Sequence, residues 1–353
     1  MAIDSILVTG AFGLVGNAVV KQLRADGRRV VATAHRTVNA SLAKLYGVEV
    51  RMVDLTDTVQ VNALVTGVSP SAIVNLAAIT PPQCYAHCAL ARAVNVDATA
   101  ALVRAAAARP SPPRFVHASS AAVHGARNPY RISDLLTADT PITPSDLYGG
   151  HKAEAEAIVR SSRLEWSVLR LGGVLPTEPT GQASLDSFYF DALLPADSRL
   201  HTVDVRDVAR AFCAATTTDA VREVFMIAGD DSHKRLKGEV VRAVAAAIGF
   251  SGALPRGRPG NPDSDRDWFP MDWMDTTRSQ QVLAFQQHTF SDLLAEMRAR
   301  RGLMRLPLQA VAPLTRGFFR RRSPYYRTPG RYADPWGAIR ARWGDPEPDS
   351  SAR

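Results

Sequence analysis

The sequence is poor in cysteine: Cys84, Cys88 and Cys213 are the only three in 353 residues. So few cannot build a disulfide framework, and a reducing compartment is the expectation. No apolar run reaches the ~18 residues of a membrane-spanning helix, so no transmembrane segment is expected. The first strand starts within a few residues of Met1, which leaves no room for a leader and gives a cytoplasmic expectation. From Arg300 to Arg353 there are twelve arginines, no lysine and four acids, Asp334, Asp345, Glu347 and Asp349. That surplus equals the net charge of +8 for the whole chain, so residues 1–299 are neutral. A neutral body without a recognised motif speaks against nucleic acid as a partner. Cys84, His87 and Cys88 are close in sequence but lack a fourth ligand and a recognised spacing, so no metal is expected.

What is present begins at once. Ile6 to Thr9 is a short β-branched, apolar strand, and it runs into a glycine-rich turn at Gly10, Gly13 and Gly16. Asn17 to Arg24 has helical apolar periodicity, Gly27 stops it, and Arg29 to Ala34 is a second strand. The whole is one βαβ unit. In such a unit the first glycine allows a tight turn and the second lets backbone approach a pyrophosphate. The third lets helix and strand pack closely. The helix N-terminus offers free N–H groups and the positive end of its dipole to phosphates.

Further strands are expected at Val48 to Leu55, Ala72 to Ala78, Arg114 to Ser120 and Glu223 to Ala228, and Ser167 to Pro176 reads as a strand and turn. A long alanine-rich helix runs from Asn95 to Ala108, and Pro110 to Pro113 ends it. Ser119 and Ser120 close one strand, and His124 and Gly125 follow. Twenty-eight residues after Ser120 comes Tyr148, and Lys152 lies four further on. That spacing puts phenol and amine on one helix face, one turn apart.

Together these motifs resemble the extended branch of the short-chain dehydrogenase/reductase superfamily, the epimerase/dehydratase-like family, over roughly residues 3–300. The resemblance implies an α/β, doubly wound parallel sheet of the Rossmann type with a smaller C-terminal substrate lobe. It divides the chain into a dinucleotide domain (1–173 and 203–227), a substrate lobe (174–202 and 228–299) and the basic tail (300–353). It implies Ser120, Tyr148 and Lys152 as catalytic residues. The dinucleotide then lies against Thr9, Gly10, Phe12, Gly13, Leu14, Val15 and Gly16, with His35 and Arg36 at the end of the second strand. Asp54 and Leu55 flank the adenine, and Leu76, Ala77, Ala78 and Asn95 run beneath the cofactor. Leu171, Gly173 and Val174, with Tyr148 and Lys152, meet the nicotinamide. Thr80, Ser119, Ser120, His124 and Phe188 are the candidate substrate contacts.

The chemistry matches these residue types. A free tyrosine has a pKa near 10. A nearby ammonium and an oxidised nicotinamide are expected to lower it, and a neighbouring hydroxyl can stabilise charge on the substrate oxygen. Ala34 stands where an acid would bind a ribose hydroxyl, and Arg36 follows, so NADP is expected over NAD. Ala121 and Ala122 stand where sugar dehydratases of this superfamily carry an Asp-Glu pair. That leaves reduction, oxidation or epimerisation of a small-molecule substrate. Arg199 is the only cation between Arg170 and Arg206, which is few for a diphosphate and favours a fairly apolar substrate. The runner-up is a nucleotide-sugar epimerase with the same triad; a third reading is a nucleotide-binding protein without turnover. The tail mixes arginines with Phe318, Phe319, Tyr325 and Tyr326. It has three readings: packing on its own body, a homodimer contact, or peripheral contact with an anionic membrane surface.

Overall fold

The computed structural model describes residues 5–35, 47–178, 185–302 and 315–349. Arg36 lies outside the described residues. Seven strands form one sheet: β1 (Ser5–Thr9), β2 (Arg29–Ala34), β3 (Glu49–Met52), β4 (Ala72–Asn75), β5 (Arg114–Ser120), β6 (Trp166–Leu171) and β9 (Glu223–Ile227). Their order is β3-β2-β1-β4-β5-β6-β9, and every neighbouring pair is parallel. The order reverses between β1 and β4, which opens a crevice at the carboxyl ends of the strands.

Helices cover both faces. On one lie α1 (Leu14–Ala25) and, later in the chain, the helix Val205–Ala215. They pack on each other and on Ile6, Val8, Val74, Val116 and Leu169. On the other lie α2 (Thr58–Val68), α3 (Ala98–Ala107) and α4 (Leu147–Ser161), over Leu7, Val31, Ile73, Phe115 and Val168. Alternate residues of each strand thus feed opposite cores, as the two-residue period of a strand demands.

A second, three-stranded sheet is ordered β10-β8-β7, from β7 (Gly173–Leu175), β8 (Arg199–Asp204) and β10 (Lys234–Leu236). It makes the smaller lobe with α5 (Leu185–Leu193), α7 (Lys237–Ala247) and α9 (Phe290–Arg301); α6 is the Val205–Ala215 helix. The expected boundary at residue 203 cuts through β8, because that strand pairs with β7 and β10 rather than with the main sheet. α8 (Thr277–Leu283) follows. Residues before it are extended, and Met274 makes a lone bridge to Leu136.

The tail folds back on the body. After α10 (residues 315–322) the chain leads to α11 (Pro335–Trp343). Trp336 stacks on Phe269 at 5.5 Å, Trp343 meets Phe190 and Tyr189 edge-on, and Ile339 is fully buried. Among the described residues no helix is long and apolar enough to cross a membrane.

Candidate active site

The site is assembled where β1, β4, β5 and β6 end. At the first of these ends, Gly10 has φ +63, and a Cβ there would lie 2.7 Å from the Ala77 nitrogen. A Cβ at Gly16 would lie 2.1 Å from the Gly10 carbonyl oxygen. Only glycine fits either place, because helix and turn close directly on one another. Gly13 differs: a Cβ there would meet nothing nearer than 3.4 Å. It is the N-cap of α1, and no side chain caps that helix. The first-turn N–H groups therefore face outward without a side-chain acceptor, beside the buried, unpartnered Oδ1 of Asn17. This cradle fits a dinucleotide pyrophosphate. Phe12, Leu14, Val15, Leu76, Ala77, Ala78, Leu171, Gly173 and Val174 are half-buried along the same edge. His35 and Asp54 are exposed at the far end of the crevice, and Leu55 packs on the core beneath. Two hydrogen bonds from Thr56 hold the Asp54 carboxyl below its usual range.

Two expected contacts are corrected here. Thr9 is fully buried, and its hydroxyl accepts from the Leu76 and Ala77 N–H groups while donating to Asn75. Asn95 is spent on both backbone groups of Ile79. Each shapes the loop under the crevice, with its polar atoms bonded to the protein itself. The signal was their position, since a hydroxyl between two parallel strand ends bridges the strands before it meets solvent.

The three catalytic candidates do converge. Ser120 and Tyr148 are half-buried, and Ser120 is close enough to the phenol to favour its ionised form. The Lys152 ammonium lies 5.8 Å from the Tyr148 ring centroid and donates to the Ala118 carbonyl at 2.8 Å. The electrostatics differ from expectation. Burial holds the Tyr148 phenol above its ordinary value, Cys84 and Asp146 push the same way, and Ser120 opposes them. Burial is the largest of these effects, and the Lys152 ammonium is bonded to β5. Burial pushes Lys152 down to about 8, against a small opposing pull from Glu156.

Asp146 was not foreseen as a site residue. It caps α4 by accepting from the Tyr148 and Gly149 N–H groups, and it accepts from the Tyr85 hydroxyl at 2.7 Å. Burial pushes it up to about 6 despite those bonds. A Ser-Asp pair just before an apolar helix was the available signal.

Three substrate candidates are corrected. Ser119 points away from Ser120, as adjacent strand residues must, and its hydroxyl donates to Glu156. Glu156 and Arg170 form a fully buried pair at 2.7 Å. His124 is buried beside it: Nδ1 lies 3.0 Å from the Pro141 carbonyl and Nε2 lies 3.3 Å from Arg170. An arginine cannot accept, so Nε2 carries the lone pair and Nδ1 the proton. Burial keeps this imidazole neutral, with a pKa of about 4. Its two ring nitrogens tie the Pro141 loop to Arg170. Phe188 packs on Phe319 of the tail at 4.7 Å. Thr80 stays exposed at the crevice mouth. A charged residue inside the apolar run of β6 was the sign of the Arg170–Glu156 pair. Among the described residues no group of three or more metal-binding side chains is placed to hold an ion.

Comparison with known proteins rests on this geometry. The profile of the NAD dependent epimerase/dehydratase family matches residues 6–228. The chain belongs to that family. Its span takes in β1 to β9 and all three catalytic candidates. Among curated relatives, the methionine adenosyltransferase 2 subunit beta of Bos taurus is 31% identical over 168 residues, 47% of this chain and 46% of that protein. The D-erythronate dehydrogenase of Cupriavidus necator is 29% identical over 195 residues, 51% of this chain and 59% of that protein. The chain thus spans about half the length of these relatives. A solved UDP-glucuronic acid 4-epimerase from Bacillus cereus, in complex with UDP-glucuronic acid and NAD, superposes with a TM-score of 0.66. It is 18% identical and covers 84% of this chain and 98% of that one. At that identity the likeness is one of fold: a doubly wound sheet with a smaller lobe.

Proposed function

We propose that this chain is an NAD(P)-dependent oxidoreductase that moves hydride to or from a carbonyl or secondary-alcohol carbon of a small, fairly apolar molecule. The observation that carries this reading is the convergence of Ser120, Tyr148 and Lys152 at the same sheet edge as the glycine cradle. A bound nicotinamide dinucleotide supplies the hydride acceptor or donor. Gly10, Gly13 and the α1 N-terminus would hold its pyrophosphate, Asp54 and Leu55 its adenine side, and Leu171, Gly173 and Val174 its nicotinamide side. The chain's own part is proton management. Tyr148 gives a proton to the substrate oxygen on reduction, or takes one on oxidation. Because burial keeps the phenol protonated, it is the acid that is ready at neutral pH. Ser120 donates to the developing oxyanion. The expected preference for NADP rests on Arg36; replacing it by alanine should weaken NADPH more than NADH.

The surroundings support an apolar substrate. Tyr148 belongs to a cluster with Ile79, Cys84, Tyr85, Phe190, Phe269 and Met271. Arg170 and Arg199, the two arginines of the stretch 170–199, are already engaged. Arg170 pairs with Glu156, and Arg199 bonds Asp272 and the carbonyls of Ile132 and Ser133. A nucleotide-sugar epimerase would use the same triad without net redox change. The experiment is a panel of apolar ketones and aldehydes with NADPH or NADH, read as loss of reduced cofactor. Stoichiometric loss supports the proposal. Interconversion of a UDP-sugar with no net cofactor change would overturn it in favour of epimerisation.

A further inference from the structure

The C-terminal arm, residues 325–349, lies beyond the span matched by the family profile, yet it is seated on the catalytic helix. The first turn of an α-helix leaves four N–H groups without internal acceptors. In α4 the Asp146 side chain takes those of Tyr148 and Gly149, while Gly150 already makes the first bond within the helix, to the Asp146 carbonyl at 2.9 Å. The remaining donor, the Leu147 N–H, is beyond the reach of Asp146. It donates to the carbonyl of Pro346 at 2.7 Å. The arm thus supplies the one cap the helix cannot supply for itself, on the residue next to Tyr148.

A second contact lies one turn on. The Asp349 carboxylate accepts from Arg92 at 3.1 Å and lies 3.2 Å from Nε2 of His151. Arg92 in turn makes a bidentate pair with Glu154 of the same helix. Asp349 therefore closes a bridge over the outer face of α4, immediately beside Lys152. Between the two contacts the arm touches the helix directly: a Cβ at Gly150 would lie 3.4 Å from the Pro348 Cβ. Gly344, at φ +114, lets the chain pass the Tyr85 carbonyl, 3.1 Å from where its Cβ would stand. Tyr85 is the residue whose hydroxyl holds Asp146. Upstream, Trp343 on Phe190 and Tyr189, Trp336 on Phe269 and the Tyr325 hydroxyl on the Leu193 carbonyl fasten the arm to the smaller lobe.

We infer that this arm is a positioning element of the active site, with Pro346 and Asp349 fixing the start of the helix that carries Tyr148 and Lys152. The inference rests on the proposed function for its catalytic consequence and on contacts alone for its structural one. A proton donor displaced by about 1 Å can lose a hundredfold in rate, so a frayed first turn is expressed in turnover.

The test uses the full-length protein with Asp349→Ala, Asp349→Glu and the double change Asp349→Ala with Trp343→Ala. Amide hydrogen exchange is followed at residues 147–151, with turnover and dinucleotide affinity measured in parallel. Asp349→Ala should speed exchange there by about tenfold and lower kcat by about tenfold, while dinucleotide affinity stays within about twofold. The double change should go further, and Asp349→Glu should recover most of both losses. Exchange at 147–151 unchanged in both Asp349→Ala and the double variant would overturn the inference. So would faster exchange with kcat unaltered, which leaves the arm a mere clamp. A wild-type protein that turns over nothing on the carbonyl panel counts against the proposed function instead, and the exchange data still decide whether the arm holds the helix.

Discussion

Replacing Lys152 by methionine should make the folded protein more stable at neutral pH. The side chain is 2% exposed, and its ammonium has one hydrogen bond, to the Ala118 carbonyl. Burial lowers its pKa from 10.5 to about 8. Across that interval the cost of carrying the charge in the fold is about 3 kcal/mol. Methionine has similar length and removes the charge, but leaves the Ala118 carbonyl without a donor, a loss of about 1 kcal/mol. The net gain at pH 7 is about 2 kcal/mol. The sign reverses with pH. A base whose folded pKa is depressed contributes its full stability above the unfolded value of 10.5, and loses it as pH falls through about 8. Near pH 10.5 the advantage of the variant should vanish, leaving it weaker by roughly the one hydrogen bond. Urea unfolding at pH 7 and pH 10 reads both ends. A Lys152→Met protein less stable than the parent at pH 7, or one whose advantage does not shrink with pH, would refute the reasoning. Its turnover should also fall, as expected where a site holds an unfavourable group for function.

Glu156→Gln should cost about 3 kcal/mol in urea unfolding, because it strands the fully buried Arg170 guanidinium; a change under about 1 kcal/mol would mean that water reaches the pair. Gly10→Ala forces a side chain into a left-handed backbone and against the Ala77 nitrogen. Dinucleotide affinity, measured by fluorescence of the reduced cofactor, should drop at least about tenfold, and the fold should lose about 1–3 kcal/mol.

The parallel sheet was legible because its signals are local. Short β-branched runs, glycines at fixed offsets and a proline block are set by backbone geometry within a few residues. The pairing of Tyr148 with Lys152 was legible for the same reason, since helical spacing alone places them together. The misreadings share another cause: the sequence says which residue sits at a strand end, but not which way the last side chain turns. Ser119 and Ser120 differ by one pleat, and only the second faces the crevice. Thr9 and Asn95 stand at the right positions, yet adjacent backbone donors and acceptors claim their polar groups first. His124, a candidate substrate contact by position, lies against Arg170 instead. That pairing joins the turn after β5 to β6, forty-six positions on. The arm was the least legible element. Arginine dominates its composition, and that drew attention to charge. Its hold on the body comes from Trp336, Ile339, Trp343 and a proline carbonyl together with the Arg92–Asp349 and Arg342–Asp186 pairs. Partners in such contacts lie far away in sequence and follow no period.

The central claim is that Tyr148 transfers the proton that accompanies hydride movement, with Ser120 beside it. Single-turnover absorbance of the reduced nicotinamide, with Tyr148→Phe against the parent on the same carbonyl substrate, tests it directly. The account predicts a rate lower by about 10²–10⁴ with dinucleotide affinity within about twofold. A phenylalanine variant that oxidises the cofactor at close to the parental rate would contradict it.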